Sequence, residues 1–292
     1  MNSYILFSLL VAAIVSWFVY WRGYLTWPAT ILACIFASII LIASGPAIGL
    51  SVGTCFFITG EISRSTPLLT QHANKNSQKI IKLESVKLKT DLPRDFLQVF
   101  ANGLILIVLA MLSVNSDNHQ LGQLAAILGC IGAVAGDTWA SDAGFIAKQQ
   151  PRMLLTGKLV SVGTPGAVTK SGIFLTGLSG LVASLVFILV SHTPLSFPHK
   201  FDLTFTTSMI LIISAVCGGI FGALVDSILN TSFQGNYQAK NMNSESPKET
   251  SRSDSVKGDI WLSNNLINFI NSIVGAATAW LMCSLMVMIL RV

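Results

Sequence analysis

The sequence predicts an all-α, multi-pass membrane protein: one integral membrane domain, residues 1–292, with eight spans within a range of six to nine. Three observations lead to this fold class. Only 11% of the residues are charged, whereas soluble domains carry about 25%. Hydrophobic residues make up 52% and form runs long enough to cross a bilayer. Lysine and arginine cluster in alternate loops, as the positive-inside rule describes.

The spans are predicted as apolar runs of roughly 17–25 residues. They cover residues 4–21, 28–44, 46–62, 95–114, 121–146, 172–192, 205–230 and 264–290. Only Gly45 and Pro46 separate the second span from the third, so one broken or re-entrant element is an alternative there. The first run lacks the basic segment of a signal peptide and is predicted to be a retained span.

The basic loops set the predicted topology. Placing them on the cytoplasmic side leaves both termini and the loops 115–120 and 193–204 outside, in a bacterial-type cell membrane or a thylakoid membrane. The cytoplasmic segments are 63–94, 148–170 and 232–259, the last Ser-rich and predicted to be flexible. Because these basic loops are short and interrupted by spans, nucleic-acid binding is not predicted. The cysteines lie in apolar runs without metal-ligand spacing, and the histidines lie in loops.

Polar side chains within predicted spans form stripes on four helices. Such groups are costly in lipid and usually face a bundle interior or a wet cavity. The stripes consist of Asp95, Gln98 and Asn102; Asp137, Thr138, Ser141 and Asp142; Gly222, Asp226 and Asn230; and Asn264, Asn265, Asn268 and Asn271. In the predicted topology all four lie at cytoplasmic helix ends, as does Glu61. Glycines four residues apart, such as Gly218 and Gly222, predict close helix packing.

The loop after the fifth span is rich in glycine and lysine. It contains Lys158, Gly163, Thr164, Gly166, Thr169 and Lys170. Free backbone N–H groups beside lysines can hold phosphate, although the spacing is not that of a P-loop and a plain interhelical turn is the alternative. Together with the carboxylates, the loop suits a magnesium-bound polyphosphate. The competing interpretation is that these polar groups only hydrogen-bond across helices.

Several segments resemble one membrane family. GDTWASDAG at 136–144, PRMLLTGK at 151–158 and VSVGTPGAVT at 160–169 are similar to the central motif of the family that contains the chloroplast phytyl-phosphate kinase of tocopherol synthesis and an uncharacterised vertebrate transmembrane protein. Its other motifs are similar to RDFLQVFANG at 94–103, GALVDSILNTSFQ at 222–234 and NNLINFINSIVGA at 264–276. The resemblance spans roughly residues 25–290. The chain departs from the family pattern at Asp142, where Glu is more usual, and at Pro165, where Asn is more usual.

The resemblance implies a CTP-dependent, Mg²⁺-requiring kinase that converts phytyl or a related isoprenyl monophosphate to the diphosphate, for tocopherol and phylloquinone synthesis. It implies catalytic roles for Asp137, Asp142, Lys158 and Arg94, and metal binding by Asp137, Asp142 and Asp226. It implies nucleotide or phosphate binding by Thr138, Ser141, Gly163, Thr164, Gly166, Thr169, Asn102, Gln98, Asn264, Asn265 and Asn268. In this hypothesis Arg94 steadies the acceptor phosphate, and Lys158 and the glycine turn contact the triphosphate.

Three alternatives remain open from the sequence. A cytidylyltransferase would attach CMP to a lipid phosphate and release pyrophosphate. A transporter or lipid-flipping protein would need polar groups that continue through the membrane midplane. A non-catalytic scaffold would need none of the chemistry. The predicted partners of the enzyme are an isoprenyl phosphate lipid, a nucleoside triphosphate and the bilayer itself.

Overall fold

The structure is a computed structural model that describes residues 2–73, 93–113, 120–146, 149–161, 164–196, 201, 203–242 and 264–291. Within these residues, seven helices are long and apolar enough to cross a membrane. The helices are α1 (Asn2–Trp21), α2 (Trp27–Ala73), α3 (Phe96–Ser113), α4 (Gln120–Ile146), α5 (Lys170–Ser191), α6 (Phe205–Met242) and α7 (Asn264–Leu290). The predicted all-α membrane fold is therefore confirmed.

Helix α2 is a helical hairpin rather than a single rod. Gly45 leaves the helical region with φ 82° and ψ 175°, a conformation that glycine adopts readily. In a straight helix Leu41 and Gly49 would lie about 12 Å apart along the axis. Instead, a Cβ on Gly49 would lie 3.3 Å from the Leu41 Cγ, so the two arms fold back on each other. The first arm is about 27 Å long, and the second is about 30 Å long up to Ser65, where its apolar part ends, so each is long enough for one crossing. In the described part of the chain, the seven helices thus provide eight segments of spanning length, the number that the sequence predicts.

Two helices continue beyond their predicted spans. Helix α2 runs to Ala73 and helix α6 to Met242, into segments that were predicted as the loops 63–94 and 232–259. The apolar run marks where the chain leaves the hydrocarbon, whereas helical hydrogen bonds continue through polar sequence. The rest of both loops lies outside the described residues, except for the segment just before α3.

Helix α4 is the centre of the bundle. Within its membrane-spanning part, 72% of the residues are buried, against 22–50% in the spanning parts of the other helices. It packs against α2, α3, α5, α6 and α7. Its closest approach is to α6 and α7, where three glycines meet. A Cβ on Gly218 would lie 2.6 Å from the Gly275 carbonyl oxygen and 2.8 Å from the Gly129 Cα. Small residues allow backbones in lipid to approach this closely.

The helix contacts distinguish two ends of the bundle. At one end, Ser63 of α2 bonds Asp142 of α4, which is close to the end of that helix. At the other end, a Cβ on Gly122 of α4 would lie 3.0 Å from the Trp280 Nε1 of α7. The first is called the polar end here, because the four polar stripes of α3, α4, α6 and α7 all lie at it.

A small β ribbon covers part of the polar end between α4 and α5. Strands β1 (Arg152–Met153) and β2 (Ala167–Val168) pair antiparallel. The sequence analysis treated 148–170 as loop only. Signals for a ribbon were present, because Gly157 supplies a positive φ of 66° between two short apolar runs. In the sequence of a membrane protein, such short strands give a much weaker pattern than the long apolar helices do.

The glycine junction generates a stability prediction. In Gly218→Ala the added methyl meets backbone atoms of α4 and α7, which cannot rotate away, so the helices must separate. Overpacking of this kind costs about 1–3 kcal/mol. We expect the midpoint of thermal unfolding in detergent to fall by several degrees.

The matched control is Gly53→Ala in α2, since a Cβ there has nothing within 4 Å. This substitution should leave the midpoint unchanged or raise it slightly, because alanine favours the helix. Equal midpoints for the two variants would contradict the junction.

Candidate functional site

A pair of aspartates joins α4 to α6 at the polar end. The carboxyl groups of Asp137 and Asp226 are within hydrogen-bonding reach of each other. Asp226 is only 5% exposed, and its Oδ2 accepts a bond of 2.8 Å from Asn230 Nδ2. Its Oδ1 is buried and has no hydrogen-bond partner among the residues that the structure describes. Two adjacent carboxylates at this depth repel each other unless a positive charge lies between them.

Asp142 faces a different neighbour. It lies five residues beyond Asp137, which turns it by about 140° around α4. There its Oδ2 accepts a bond of 2.5 Å from Ser63 Oγ. One turn earlier on this side, Trp139 Nε1 donates to Thr59 Oγ1 at 2.8 Å. The predicted metal set of Asp137, Asp142 and Asp226 is therefore divided between two sides of α4. Among the described residues, no three His, Cys, Asp or Glu side chains come close enough to form a metal site by themselves.

Arg94 supplies a positive charge beside these acids. Its guanidinium lies 5.6 Å from the centroid of the Phe56 ring, and the residue is half-buried. Burial lowers the pKa of Arg94, and the charges of Asp142 and Asp137 act in the opposite direction. The arginine remains a cation at neutral pH. Arg94 thus offsets charge on both Asp142 and Asp137, whereas no positive group lies beside Asp226 among the described residues.

The position of Arg94 depends on the α1–α2 connection. Its N–H donates to the Tyr24 carbonyl at 2.9 Å, and its carbonyl accepts from Thr26 N–H at 3.0 Å. An ion pair between Arg22 and Glu61, with the Tyr24 hydroxyl also donating to Glu61, fixes this turn. The bonds to Tyr24 and to Glu61 raise the pKa of Arg22, and burial raises the pKa of the Tyr24 phenol. Glu61 was predicted at the cytoplasmic ends of the helices, but its pairing with Arg22 was not predicted.

The predicted amide residues of α3 and α7 lie at the polar end as well. Gln98 and Asn102 are half-buried on α3, and Asn265 and Asn268 are half-buried on α7, whereas Asn264 is exposed. The two helices pack against each other. The amides therefore lie at the same end of the bundle as the acidic pair, on neighbouring helices.

Two further residues of the α4 stripe have different surroundings. Thr138 is half-buried and Ser141 is exposed. The Ser141 hydroxyl donates to the backbone carbonyls of Asp137 and Thr138, at 3.0 and 3.1 Å. It does not bond the Asp137 carboxyl, although the spacing of four residues had suggested that pair.

The glycine-rich loop forms a tight turn against α6. The Ala167 N–H bonds the Thr164 carbonyl at 3.2 Å, with Pro165 and Gly166 between them and a φ of 72° at Gly166. This is the geometry of a type II turn. A Cβ on Gly166 would lie 2.6 Å from the Thr231 backbone nitrogen, so only glycine fits here. This contact with Thr231 places the loop about one turn of α6 beyond Asp226.

The remaining loop residues differ in their availability to a ligand. The Thr164 N–H is bonded to Ser161, and the Thr169 hydroxyl caps α5 by accepting from Gly172 N–H at 3.0 Å. Lys158 is exposed on the ribbon. Gly163 lies outside the described residues. Phosphate binding by this loop stays a prediction.

One buried residue was not included among the predicted site residues. Asn271 of α7 is 1% exposed, and its Nδ2 donates to the Ala133 carbonyl of α4 at 3.2 Å. Its Oδ1 has no hydrogen-bond partner. The signal was present in the sequence, since Asn271 continues the α7 stripe, but its depth suggested a helix-packing contact.

An apolar cavity lies at the opposite end. It has a volume of about 390 Å³ between the end of α5 and the start of α6, with Leu185, His192 and Met209 among its lining residues. It is remote from all four polar stripes and is not part of the candidate site.

The family of the chain is decided by its match to an integral membrane protein family, which extends over residues 10–276. The chain belongs to the DUF92 family. It is 30% identical over 200 residues to Protein PGR of Arabidopsis thaliana, covering 64% of this chain and 68% of the relative. It is also 30% identical over 141 residues to an uncharacterized membrane protein of Methanocaldococcus jannaschii, covering 48% of this chain and 52% of that protein. No solved structure matches.

DUF92 membership confirms the membrane character that the sequence predicted. The matched region includes all the described site residues from Arg94 to Asn271. The names of these two relatives state no activity, so the isoprenyl phosphate kinase that the resemblance implies belongs to the proposal below.

The support of Arg94 generates a prediction that does not depend on activity. Glu61→Gln replaces the ion pair with a neutral amide, which weakens the hold on the turn that contains Tyr24 and Thr26. We expect faster hydrogen–deuterium exchange at the amides of Thr26 and Arg94. Ser38→Ala, which removes only a bond within the first arm of α2, is the control. Equal exchange in both variants would show that Glu61 does not support this turn.

Proposed function

We propose that this protein is a CTP-dependent kinase that converts phytyl or a related isoprenyl monophosphate to the diphosphate. The observation that carries the proposal is the adjacent Asp137–Asp226 pair, with Arg94 near Asp137 and Asp142 and a buried Asp226 oxygen that has no partner among the described residues. A site for phosphate groups needs a cation for the transferred phosphates and a second positive group for the acceptor. The motif resemblance gives the substrate class, and DUF92 membership gives the membrane setting.

The acidic pair fits the Mg²⁺ that this activity requires. Magnesium is typically held by one or two carboxylates, with phosphate oxygens and waters completing the shell. Asp137 and Asp226 provide two carboxylates, and Asp226 Oδ1 has no competing partner. When bound, the ion neutralises charge on the nucleotide phosphates and on the pair itself. Asp142 is committed to Ser63, so it is assigned to the acceptor side instead of to the metal.

Arg94 is assigned to the acceptor phosphate. Its guanidinium can present two parallel N–H groups to a phosphate, which fixes the orientation of that group. The nearby Asp142 and the turn at Tyr24 hold the arginine in place. An acceptor oxygen forms the new bond to the γ-phosphorus while the bond to the CDP oxygen breaks, and CDP leaves. The acceptor oxygen is already anionic, so no side chain has to remove a proton.

The lipid tail is assigned to the outer surface beside α3. Phe96 and Phe100 are exposed there and stack at 6.4 Å with an interplanar angle of 10°, directly after Arg94 in the chain. An isoprenyl chain in this position stays in the bilayer while its phosphate reaches Arg94. The proposal places the polar end on the cytoplasmic side, where CTP is available, with Lys158 and the turn at Gly166 near the triphosphate. The diphosphate product would serve tocopherol and phylloquinone synthesis.

The first test is phosphoryl transfer by the purified full-length protein. With labelled CTP and phytyl phosphate we expect isoprenyl diphosphate and CDP. Asp137→Asn and Asp226→Asn should each lower kcat/KM by about 100-fold or more, since the metal supplies several kcal/mol of transition-state stabilisation. Asp95→Asn is the matched control, because Asp95 is exposed and its oxygen that caps α3 is retained in asparagine.

The products also separate the alternatives. A CDP-linked lipid with pyrophosphate would identify a cytidylyltransferase, and full activity of Asp137→Asn would remove that residue from the site. Movement of the lipid phosphate across vesicles without any transfer would indicate a transporter. A panel of CTP, ATP, GTP and UTP against isoprenyl phosphates of different length defines both substrates.

A second prediction separates the two substrates. Arg94→Lys keeps the charge but loses the paired N–H groups. If Arg94 binds the acceptor, this variant raises KM for the isoprenyl phosphate about tenfold or more and leaves KM for CTP within about twofold. Arg291→Lys, at the far end of α7, controls for the general effect of the substitution. A rise in KM for CTP alone would move Arg94 to the nucleotide side.

A further inference from the structure

Three helices meet in layers beneath the acidic pair. The deepest layer is the junction of Gly129, Gly218 and Gly275. One turn nearer the polar end, a Cβ on Gly222 of α6 would lie 2.6 Å from the Ala133 Cβ of α4, and Asn271 of α7 contacts both residues. One further turn along α4 and α6 lie Asp137 and Asp226. Asn271 is therefore the floor directly below the aspartates.

The floor has an oxygen without a partner. Asn271 Oδ1 is the atom nearest to the space that a Gly222 side chain would occupy, and it is buried without a hydrogen bond. Its amide nitrogen is committed to the Ala133 carbonyl, which fixes the side chain with the oxygen toward α6. Helical side chains lean toward the N-terminus, so Asp137 and Asp226 also lean from above toward this layer.

The polar oxygens at and just above this layer are acceptors when both aspartates are ionised. They are the Asp137 carboxylate, Asp226 Oδ1 and Asn271 Oδ1. The last two belong to residues more than nine-tenths buried and have no hydrogen-bond partner among the described residues. A buried acceptor without a donor is destabilising, and a second one beside it adds to the cost. A water molecule has only two protons to donate and does not neutralise two carboxylates. A small divalent cation satisfies all three oxygens and the charge together.

We infer that Asn271 is a third protein ligand of the divalent cation, below Asp137 and Asp226. The amide oxygen adds a neutral ligand without adding a third negative charge, which suits a site within the membrane. The inference rests on the proposed function for the identity of the cation as Mg²⁺. The oxygen set itself comes from the contacts of α4, α6 and α7.

The test is a titration of the purified full-length protein with Mn²⁺, used as a paramagnetic substitute for Mg²⁺ and followed by electron paramagnetic resonance, with and without CTP. The wild type should show one saturable site. Asn271→Ala should raise the dissociation constant by about tenfold or more. Ser272→Ala is the matched control, since Ser272 is the next residue, equally buried, and bonds only within α7 at 2.7 Å. It should leave the dissociation constant unchanged.

A further variant keeps the test decisive if Asn271→Ala unfolds. Asn271→Asp retains an oxygen at the same place and should bind Mn²⁺ at least as tightly as the wild type, with folding checked by thermal unfolding without metal. The inference is overturned if Asn271→Ala and Ser272→Ala bind equally, if folded Asn271→Asp binds more weakly, or if the wild type has no saturable site. Mn²⁺ binding as expected without phosphoryl transfer would instead refute the kinase and leave the cation site standing.

Discussion

The close approach of α4, α6 and α7 at Gly129, Gly218 and Gly275 is the constraint on which the polar end depends. With no side chains at this level, the three backbones touch, and a methyl on any of the glycines would meet an atom of a neighbouring helix. Helices this close at one level remain close over the next two turns. Side chains at Asp137 and Asp226 then have no space to avoid each other, so the packing forces the two carboxyl groups together.

This arrangement explains why a costly polar cluster is stable within a membrane protein. Glycine and alanine below the cluster let the helices pack without a water-filled lumen between them. The polar groups are therefore confined to one end of the bundle. Ser179 and Asn271 bond backbone carbonyls of α4, at 2.7 and 3.2 Å, and tie the helices at the same depth. In lipid such interhelical bonds each add modestly to association, and they fix the register of the helices.

Much of the fold follows from the sequence because lipid imposes simple rules. Span length, the clustering of basic residues and the Gly45-Pro46 break were enough to predict eight passes. Helix periodicity placed the polar residues on shared helix faces, and the predicted topology placed the four stripes at one end of the bundle. The β ribbon and the helix ends at Ala73 and Met242 were missed, because apolar runs report on the hydrocarbon boundary and not on backbone hydrogen bonds outside it.

The site was predictable as a set of residues but not as an arrangement. Periodicity places Asp137 and Asp142 on one helix, yet only the neighbours of α4 decide what each one meets. Asp142 meets Ser63 and the charge of Arg94, whereas Asp137 meets Asp226. Likewise, nothing in the local sequence distinguishes Asn271 from the half-buried Asn268. The difference is that Asn271 packs tightly against Gly222, where a Cβ would clash with its Oδ1 and only glycine fits.

The two sides of α4 therefore differ in their charged groups. In the proposed reaction, this difference gives each of the two anionic substrates its own side of the helix. On the α2 side, Arg94 already balances Asp142, so an incoming phosphate there gains a donor and meets a carboxylate that is occupied by Ser63. On the α6 side, the proposed Mg²⁺ would balance the Asp137–Asp226 pair and hold the nucleotide phosphates beside it. Since Asp137 and Asp142 are only about a turn and a half apart, the two sides lie within the reach of a single phosphoryl transfer.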